Sequence, residues 1–201
     1  MILIDPRLRP QPTRLGDRAT LDELLRRASR PRPQALALVD PPNRESFTDL
    51  PPRRLTYAQA DRAVSAIAGR LRRIGLHTDA VVATQMANTV ENVLTLLGIL
   101  RAGCIAMPLP LLWRRAEGIA ALRRVGATAL IVSGRIGAAN HFVLAQQLAA
   151  ETFPIRYVCG YGHDTPDGVV PLDDILLCSS LTPFLHGRKS VGPTRAQGIN
   201  P

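Results

Sequence analysis

Apolar residues recur along the middle of the chain in two alternating patterns. Between residues 60 and 74 they stand at intervals of four and three, which places them on one face of a helix. Thr56 and Gln59 have the spacing of a capping box in front of this helix, and Gly75 stands where a left-handed residue can end it. The run at 80–83 is apolar at every position. Such a run is typical of a strand that is buried on both faces of a parallel sheet.

The next helix has a pattern that predicts which of its sides faces the core. Asn88 can cap it, with Glu91 three residues further on, and Gly103 can end it. Its buried face is predicted to consist of four apolar residues at helical spacing, namely Val93, Leu96, Leu97 and Leu100.

Strands and helices continue to alternate as far as about residue 160. Further strands are predicted at 104–107, 129–132 and 155–159, and further helices at about 114–125 and 138–150. A short helix opened by Thr20 and a brief apolar run at 35–39 come before them, and a proline-rich loop follows at 41–52. Short connections between alternating strands and helices are typical of a layered α/β fold, with a mostly parallel sheet and flanking helices.

The two ends of the chain differ from this periodic middle. Residues 1–18 contain three prolines and four arginines. They are predicted to be an arm, and residues 19–178 are predicted to form the α/β subdomain. After Asp174 the chain contains no acidic residue, and from Ser179 onward its periodicity is lost. The segment 179–201 is therefore predicted to be disordered, or unrelated to the subdomain.

Composition and charge restrict the classes of function. Of the 201 residues 46% are hydrophobic and 20% charged, which is typical of a globular protein. The net charge of +9 raises the question of nucleic acid, but the arginines alternate with helical apolar positions and only 4% of the residues are aromatic. We expect a solvated arginine-rich surface and no nucleic-acid partner.

No apolar run reaches the roughly 18–20 residues of a membrane span, and the start lacks the pattern of a signal peptide, so a cytoplasmic protein is expected.

Metal and disulfide chemistry find no support in the spacing of cysteine and histidine. The three cysteines, Cys104, Cys159 and Cys178, form no C-x-x-C pair. The four histidines stand apart from one another, and each is predicted to be a surface or turn residue: His77, His141, His163 and His186. No metal-ligating residue is predicted.

Three short patterns resemble parts of known sites, and each has a simpler interpretation. Residues 160–165 begin like a dinucleotide fingerprint, but the third glycine is missing and no helix is predicted to follow, so a turn is expected. Residues 187–190 resemble the end of a phosphate loop, yet the two required glycines are absent. The adjacent pair Asp173 and Asp174 is predicted to begin a helix. No catalytic, cofactor-binding or metal site residue is predicted in this chain.

Five segments in succession are similar to the opening of the AMP-binding, or adenylate-forming, enzymes. This family contains acyl-CoA synthetases, luciferases and the adenylation domains of peptide synthetases. Residues 54–61 with 70–75 resemble its "LTYAEL…G" opening, and 79–83 resemble its "GDRVA" strand. The remaining three are residues 88–93, similar to "N..E.V", 97–109, similar to "LA.LKAG…VPL", and 127–132, similar to "A..LI".

The resemblance implies a function and also a limit to it. In the family a Ser/Thr- and Gly-rich loop ending in Pro-Lys binds phosphate, and a later acidic residue and a lysine complete the site. None of these has a matching position here, so no catalytic residue is carried over. The resemblance therefore implies an incomplete N-terminal part of an acyl-CoA synthetase, which would activate a carboxylic acid, with a fatty acid expected, using ATP and Mg²⁺. CoA or a carrier protein would accept the acyl group, and no cofactor is expected in this part alone.

Two other hypotheses fit the same sequence. The chain could be a non-catalytic interaction module, or a half-enzyme whose open face is covered by a second chain. A small nucleotide-binding Rossmann protein would also show the α/β alternation, although the missing fingerprint argues against it.

Overall fold

The computed structural model describes residues 20–180, so the predicted arm at 1–18 and the tail beyond Ser180 lie outside the described residues. The elements follow one another along the chain as α1 (Leu21–Ser29), β1 (Leu36–Val39), α2 (Glu45–Thr48), β2 (Arg54–Thr56), α3 (Tyr57–Arg73), β3 (Val81–Gln85), α4 (Val90–Arg101), β4 (Ile105–Pro108), α5 (Arg115–Val125), β5 (Ala129–Ser133), β6 (Arg135–Ile136), β7 (Ala139–Asn140), α6 (His141–Glu151), β8 (Tyr157–Tyr161), β9 (Val169–Pro171) and α7 (Asp173–Ser180).

A five-stranded parallel sheet forms the centre of the fold. Its strands lie in the order β4-β3-β5-β8-β9, and each neighbouring pair is parallel. All five residues of the central strand β5 are buried, as expected of a strand covered on both faces. The predicted layered α/β fold with a parallel sheet is thus confirmed. Strand β9 was not predicted from the sequence.

Alternate residues of the strands supply two separate cores. Val82 and Ile131 point to the face that α3 and α4 cover, whereas Ala83 and Leu130 point to the face that α5 and α6 cover. This division follows from the period of two along a strand, which sends successive side chains to opposite faces.

Helix α3 begins and ends as its sequence predicts. The Thr56 side chain accepts from the Gln59 amide at 3.3 Å, and the Gln59 side chain accepts from the Thr56 amide at 2.9 Å. Gly75 follows the last turn with a φ of 98°, a conformation that a side chain would strain. The capping box and the glycine stop are both confirmed.

The prediction for α4 was wrong at its start and on its face. The N-cap residue is Thr89, not Asn88, and the first helical amide, that of Val90, donates to the Asp40 carboxylate at 2.7 Å. The buried residues of the helix are Val90, Glu91, Leu94, Thr95, Gly98 and Ile99. Of the four residues predicted to be buried, Val93, Leu96 and Leu97 are half-buried, Leu97 packs against the core, and Leu100 is 37% exposed. Because α4 is apolar on both sides, periodicity alone did not distinguish them.

The proline-rich loop holds more structure than was predicted. It contains α2, and it leads into β2, which pairs antiparallel with β1 in a separate two-stranded sheet. The antiparallel hairpin β6–β7 likewise delays the start of α6 to His141, three residues after the predicted position. Among the described residues no helix is long and apolar enough to cross a membrane.

Two glycines on neighbouring helices provide a matched test of the packing between α3 and α4. A Cβ atom on Gly98 would lie 2.5 Å from Cγ2 of Ile67, whereas a Cβ atom on Gly69 would meet no heavy atom within 4 Å. We expect Gly98→Ala to lower the free energy of unfolding by about 1–3 kcal/mol through overpacking. Gly69→Ala should raise it by up to about 1 kcal/mol, since alanine favours the helix. Urea unfolding measures both, and equal effects of the two substitutions would contradict the close approach of the helices.

Candidate functional site

The order of the strands indicates where a ligand site would lie. The chain passes from β3 outward to β4 and then crosses back to β5 on the other side of β3, so the direction of winding reverses between β3 and β5. Open α/β sheets bind ligands outside the carboxyl ends of the strands at such a reversal. Gln85 ends β3 and Ser133 ends β5 at this edge, which makes it the candidate site.

A small open cleft lies at this edge, on the side of the sheet that carries α4. Its lining combines charged, hydroxyl and apolar groups: Arg44, Thr48, Leu50, Thr89, Glu91, Ser133, Arg135 and Tyr161. Two of these residues belong to the first turn of α4 or its cap, and two end strands of the sheet. The sheet and the proline-rich loop therefore build the cleft together.

A cluster of four charged residues lies beside the cleft, and two of its members, Arg44 and Glu91, line it. Arg44 is 1% exposed, and its guanidinium bonds to the Asp40 carboxylate through Nη1 and to Glu91 Oε1 through Nη2, the second contact at 2.7 Å. Arg53 Nε lies 2.8 Å from the same Glu91 oxygen, and its amide donates to Asp40 Oδ2 at 2.8 Å. Two arginines thus balance two carboxylates, which is the condition for burying such charges.

One oxygen of the cluster is left without a partner in the protein. Oε2 of Glu91 is buried and has no hydrogen bond, although Oε1 accepts from Arg44. Asp173 lies at the start of α7 as predicted, and its Oδ2 accepts from the amide of Gly162 at 3.0 Å. Burial raises the pKa of the Asp173 carboxyl, and the charge of Glu91 adds to the rise. The Asp173 carboxyl therefore holds its proton to a higher pH than an exposed carboxyl would.

Gln85 and His141 occupy the opposite side of the same edge. Gln85 Nε2 donates to the carbonyls of Pro110 and Trp113, both at 3.0 Å. His141 is 2% exposed, so the prediction of a surface or turn residue was wrong for this histidine. Burial lowers the pKa of His141 more than the backbone at Ala139 raises it, and the charge of Arg114 lowers it further.

Two ionisable side chains of β8, those of Tyr161 and Cys159, are buried. The Tyr161 hydroxyl is tied to Thr95 Oγ1 at 2.9 Å, and burial raises its pKa. Burial also raises the pKa of the Cys159 thiol to about 12, which keeps it protonated and weakly nucleophilic. Among the described residues no group of three His, Cys, Asp or Glu side chains could hold a metal ion.

The three short sequence patterns have different outcomes. Residues 160–165 begin within the last two residues of β8 and lead through a loop to β9, not into a helix. The pattern at 187–190 lies outside the described residues.

The residues of the charged cluster that were not predicted from the sequence include Asp40, Arg44 and Glu91. The available signal was the charged residue Glu91 in the otherwise apolar start of α4.

Removal of the central arginine of the cluster tests its importance for the fold. Arg44→Met leaves two buried carboxylates without their shared cation, and we expect a loss of about 3–5 kcal/mol in the free energy of unfolding. The control is Arg115→Met, which breaks an exposed pair with Glu151 and should leave urea unfolding close to wild type. A small effect of Arg44→Met would show that the cluster contributes little.

The buried histidine predicts a dependence of stability on pH. Because the folded state disfavours the charged ring, the unfolded chain binds the proton more readily, and stability is lost as pH falls through the ordinary value of 6.5. We expect the free energy of unfolding of the wild type to decrease from about pH 7.5 to about pH 5.5. His141→Leu should flatten this dependence, and the exposed control His77→Ala should not. Identical pH profiles for wild type and His141→Leu would contradict the assignment.

The fold and the cleft can be compared with those of known proteins. The sequence profile of the AMP-binding enzyme family matches residues 25–164, which include the whole charged cluster and four of the five strands of the sheet. The 2-hydroxy-7-methoxy-5-methyl-1-naphthoate–CoA ligase of Streptomyces carzinostaticus is 31% identical over 146 residues, which cover 72% of this chain and 24% of the ligase.

Solved structures show the same fold. Acetoacetyl-CoA synthetase from Streptomyces lividans superimposes with a TM-score of 0.66 at 19% identity, over 77% of this chain and 24% of the synthetase. The anthranilate CoA ligase AuaEII, solved in complex with anthranoyl-AMP, gives a TM-score of 0.65 at 20% identity, over 78% of this chain and 27% of the ligase. The chain thus spans about a quarter of the length of the relatives that it matches. On the strength of the profile match over residues 25–164, this chain belongs to the AMP-binding enzyme family.

Proposed function

We propose that the chain supplies the N-terminal scaffold of an acyl-CoA synthetase-like enzyme, which activates a carboxylic acid as its adenylate. The observation that carries this proposal is the family match over residues 25–164. In the complete enzyme ATP and Mg²⁺ would take part in forming the adenylate, and CoA or a carrier protein would receive the acyl group. ATP, Mg²⁺ and CoA are water-soluble, which favours the cytoplasm as the location of the complete enzyme.

The scaffold is proposed to be inactive by itself. Formation of an adenylate needs donors at the α-phosphate and cations that offset charge on the leaving pyrophosphate. The family meets part of this need with a loop ending in Pro-Lys, but the single lysine here, Lys189, follows Arg188. The cleft residues described above offer no substitute, since Arg44 and Arg53 are already bound to Glu91.

The acid that the complete enzyme activates is a separate proposal. A fatty acid is the class expected from the sequence. The naphthoate ligase of Streptomyces carzinostaticus, 31% identical to this chain, favours an aryl acid as the second candidate. The remaining three-quarters of the enzyme would come from a further polypeptide segment, either joined to this chain or carried on a second chain.

A chimeric enzyme tests the proposed function. The matched segment of the naphthoate ligase is replaced by the corresponding segment of this chain, and acid-dependent exchange of pyrophosphate into ATP is measured. We expect exchange above background from the chimera and none from the 201-residue chain alone. The same chimera carrying Arg44→Met should lose both cooperative unfolding and exchange, because the charged cluster supports the scaffold.

A chimera that unfolds cooperatively but exchanges no pyrophosphate with any acid would sink the proposal. In that case the chain has the fold of the family without being a competent part of its enzyme, and the interaction-module hypothesis would take its place.

A further inference from the structure

The turn between α6 and β8 holds a phenylalanine side chain out in the solvent. Phe153 is 99% exposed, whereas the residue before it, Thr152, is fully buried. The amide of Ile155 donates to the Thr152 carbonyl at 3.0 Å, which closes a turn around Phe153 and Pro154. The proline fixes its own φ and restricts the backbone of the residue before it. The ring of Phe153 is therefore presented to the solvent by a short, constrained turn.

Exposed arginines flank this turn. The Arg123 guanidinium donates at 2.7 Å to the carbonyl of Glu151, two residues before Phe153. Arg124 follows Arg123 in the chain, and Arg156 follows Phe153 by three residues. The Arg156 amide donates at 2.9 Å to the residue just before β5, which joins the start of β8 to the start of β5. Because they lie where these two strands begin, Phe153, Arg123, Arg124 and Arg156 are called the amino-edge patch.

The positive charge of the amino-edge patch is not neutralised by acidic neighbours. The carboxylate of Glu151 is bound through both of its oxygens by Arg115. Arg123 donates to a main-chain carbonyl, and neither Arg124 nor Arg156 forms an ion pair within the part of the chain that the structure describes. Three exposed cations thus accompany one exposed aromatic ring.

We propose that the amino-edge patch is a docking surface for a negatively charged lipid bilayer. An exposed apolar side chain that stands alone is common at a protein surface, but this ring stands among unneutralised arginines. Arginine binds phosphate through its planar set of donors, and cations are attracted to anionic headgroups. An aromatic ring gains free energy when it leaves water for the boundary of headgroups and acyl chains. Both parts of the patch therefore favour the same surface, and the inference does not depend on the proposed function.

A protein partner fits the amino-edge patch less well. One phenylalanine side chain buries roughly 150–250 Å², whereas a stable protein interface buries roughly 800 Å² on each partner. A bilayer needs no matching surface, because its fluid headgroups close around a projecting side chain. The patch has the apolar area of a membrane contact and not that of a protein interface.

Docking by this edge leaves the cleft accessible. The patch lies where β5 and β8 begin, whereas Ser133, which lines the cleft, ends β5 at the opposite edge of the sheet. A strand of five residues is about 17 Å long. The bilayer and the cleft would therefore be separated by the length of the strands.

Vesicle binding tests the amino-edge patch. The full 201-residue chain is sedimented with vesicles of phosphatidylcholine alone, and with vesicles of phosphatidylcholine and phosphatidylglycerol in equal amounts. We expect the wild type to bind the mixed vesicles, and Phe153→Ser to bind them at least about 10-fold more weakly. Arg156→Gln should weaken binding about 5-fold, because one cation near the anionic surface is lost.

Two controls match these substitutions. Leu21→Ser removes an apolar side chain that is 63% exposed and stands beside the acidic residues Asp22 and Glu23. Arg54→Gln removes an exposed arginine of β2, next to the charged cluster. Both controls should bind the mixed vesicles like the wild type. All four substitutions change exposed side chains, so urea unfolding of each variant should match that of the wild type.

Several results would overturn the docking surface. They are no binding of the wild type to the mixed vesicles, binding that Phe153→Ser leaves unchanged, and equal binding to charged and uncharged vesicles. Controls that lose as much binding as the patch variants would assign the binding to the net charge of the whole chain. A wild type that ignores the vesicles but forms a dimer, which Phe153→Ser dissociates, would make the patch a protein contact instead.

Discussion

The guanidinium of Arg44 holds together parts of the chain that are far apart in sequence. It lies almost entirely out of water and bonds to Asp40, in its own segment, and to Glu91 on α4, 47 residues away. A buried cation is tolerated only where carboxylates surround it. The β1–β2 hairpin, the proline-rich loop and the start of α4 are therefore obliged to form together. Asp40 adds to this coupling, since its two oxygens receive the amides of Val90 and Arg53.

The same cluster shapes the edge of the sheet where a ligand would lie. The reversal of winding between β3 and β5 opens a space at their carboxyl ends, and the cluster fills one wall of it with balanced charge. The charges of the cluster neutralise one another, because its two arginines are bound to its two carboxylates.

Much of the fold could be predicted from the sequence, and the failures have identifiable physical causes. Capping residues and glycines located the ends of α3, and apolar runs located β3 and β5, because these signals act over a few residues. Strand β9, at three residues, was too short to show a period. The burial of Arg44, Glu91 and His141 depends on contacts with distant segments, which no local pattern reports. At the site, the cleft itself could not be predicted, since it arises from the strand order.

The two charged residues of α4 also determine how the helix is turned about its own axis. Glu91 is held near the first turn by Arg44, and Arg101 is held in the last turn by Asp22 and Asp61. A shift of one residue along a helix rotates its side chains by about 100°, which would separate both sets of ions at once. The helix is thus locked in rotation at each end. It cannot relieve the partial exposure of Leu100 by rolling toward the sheet.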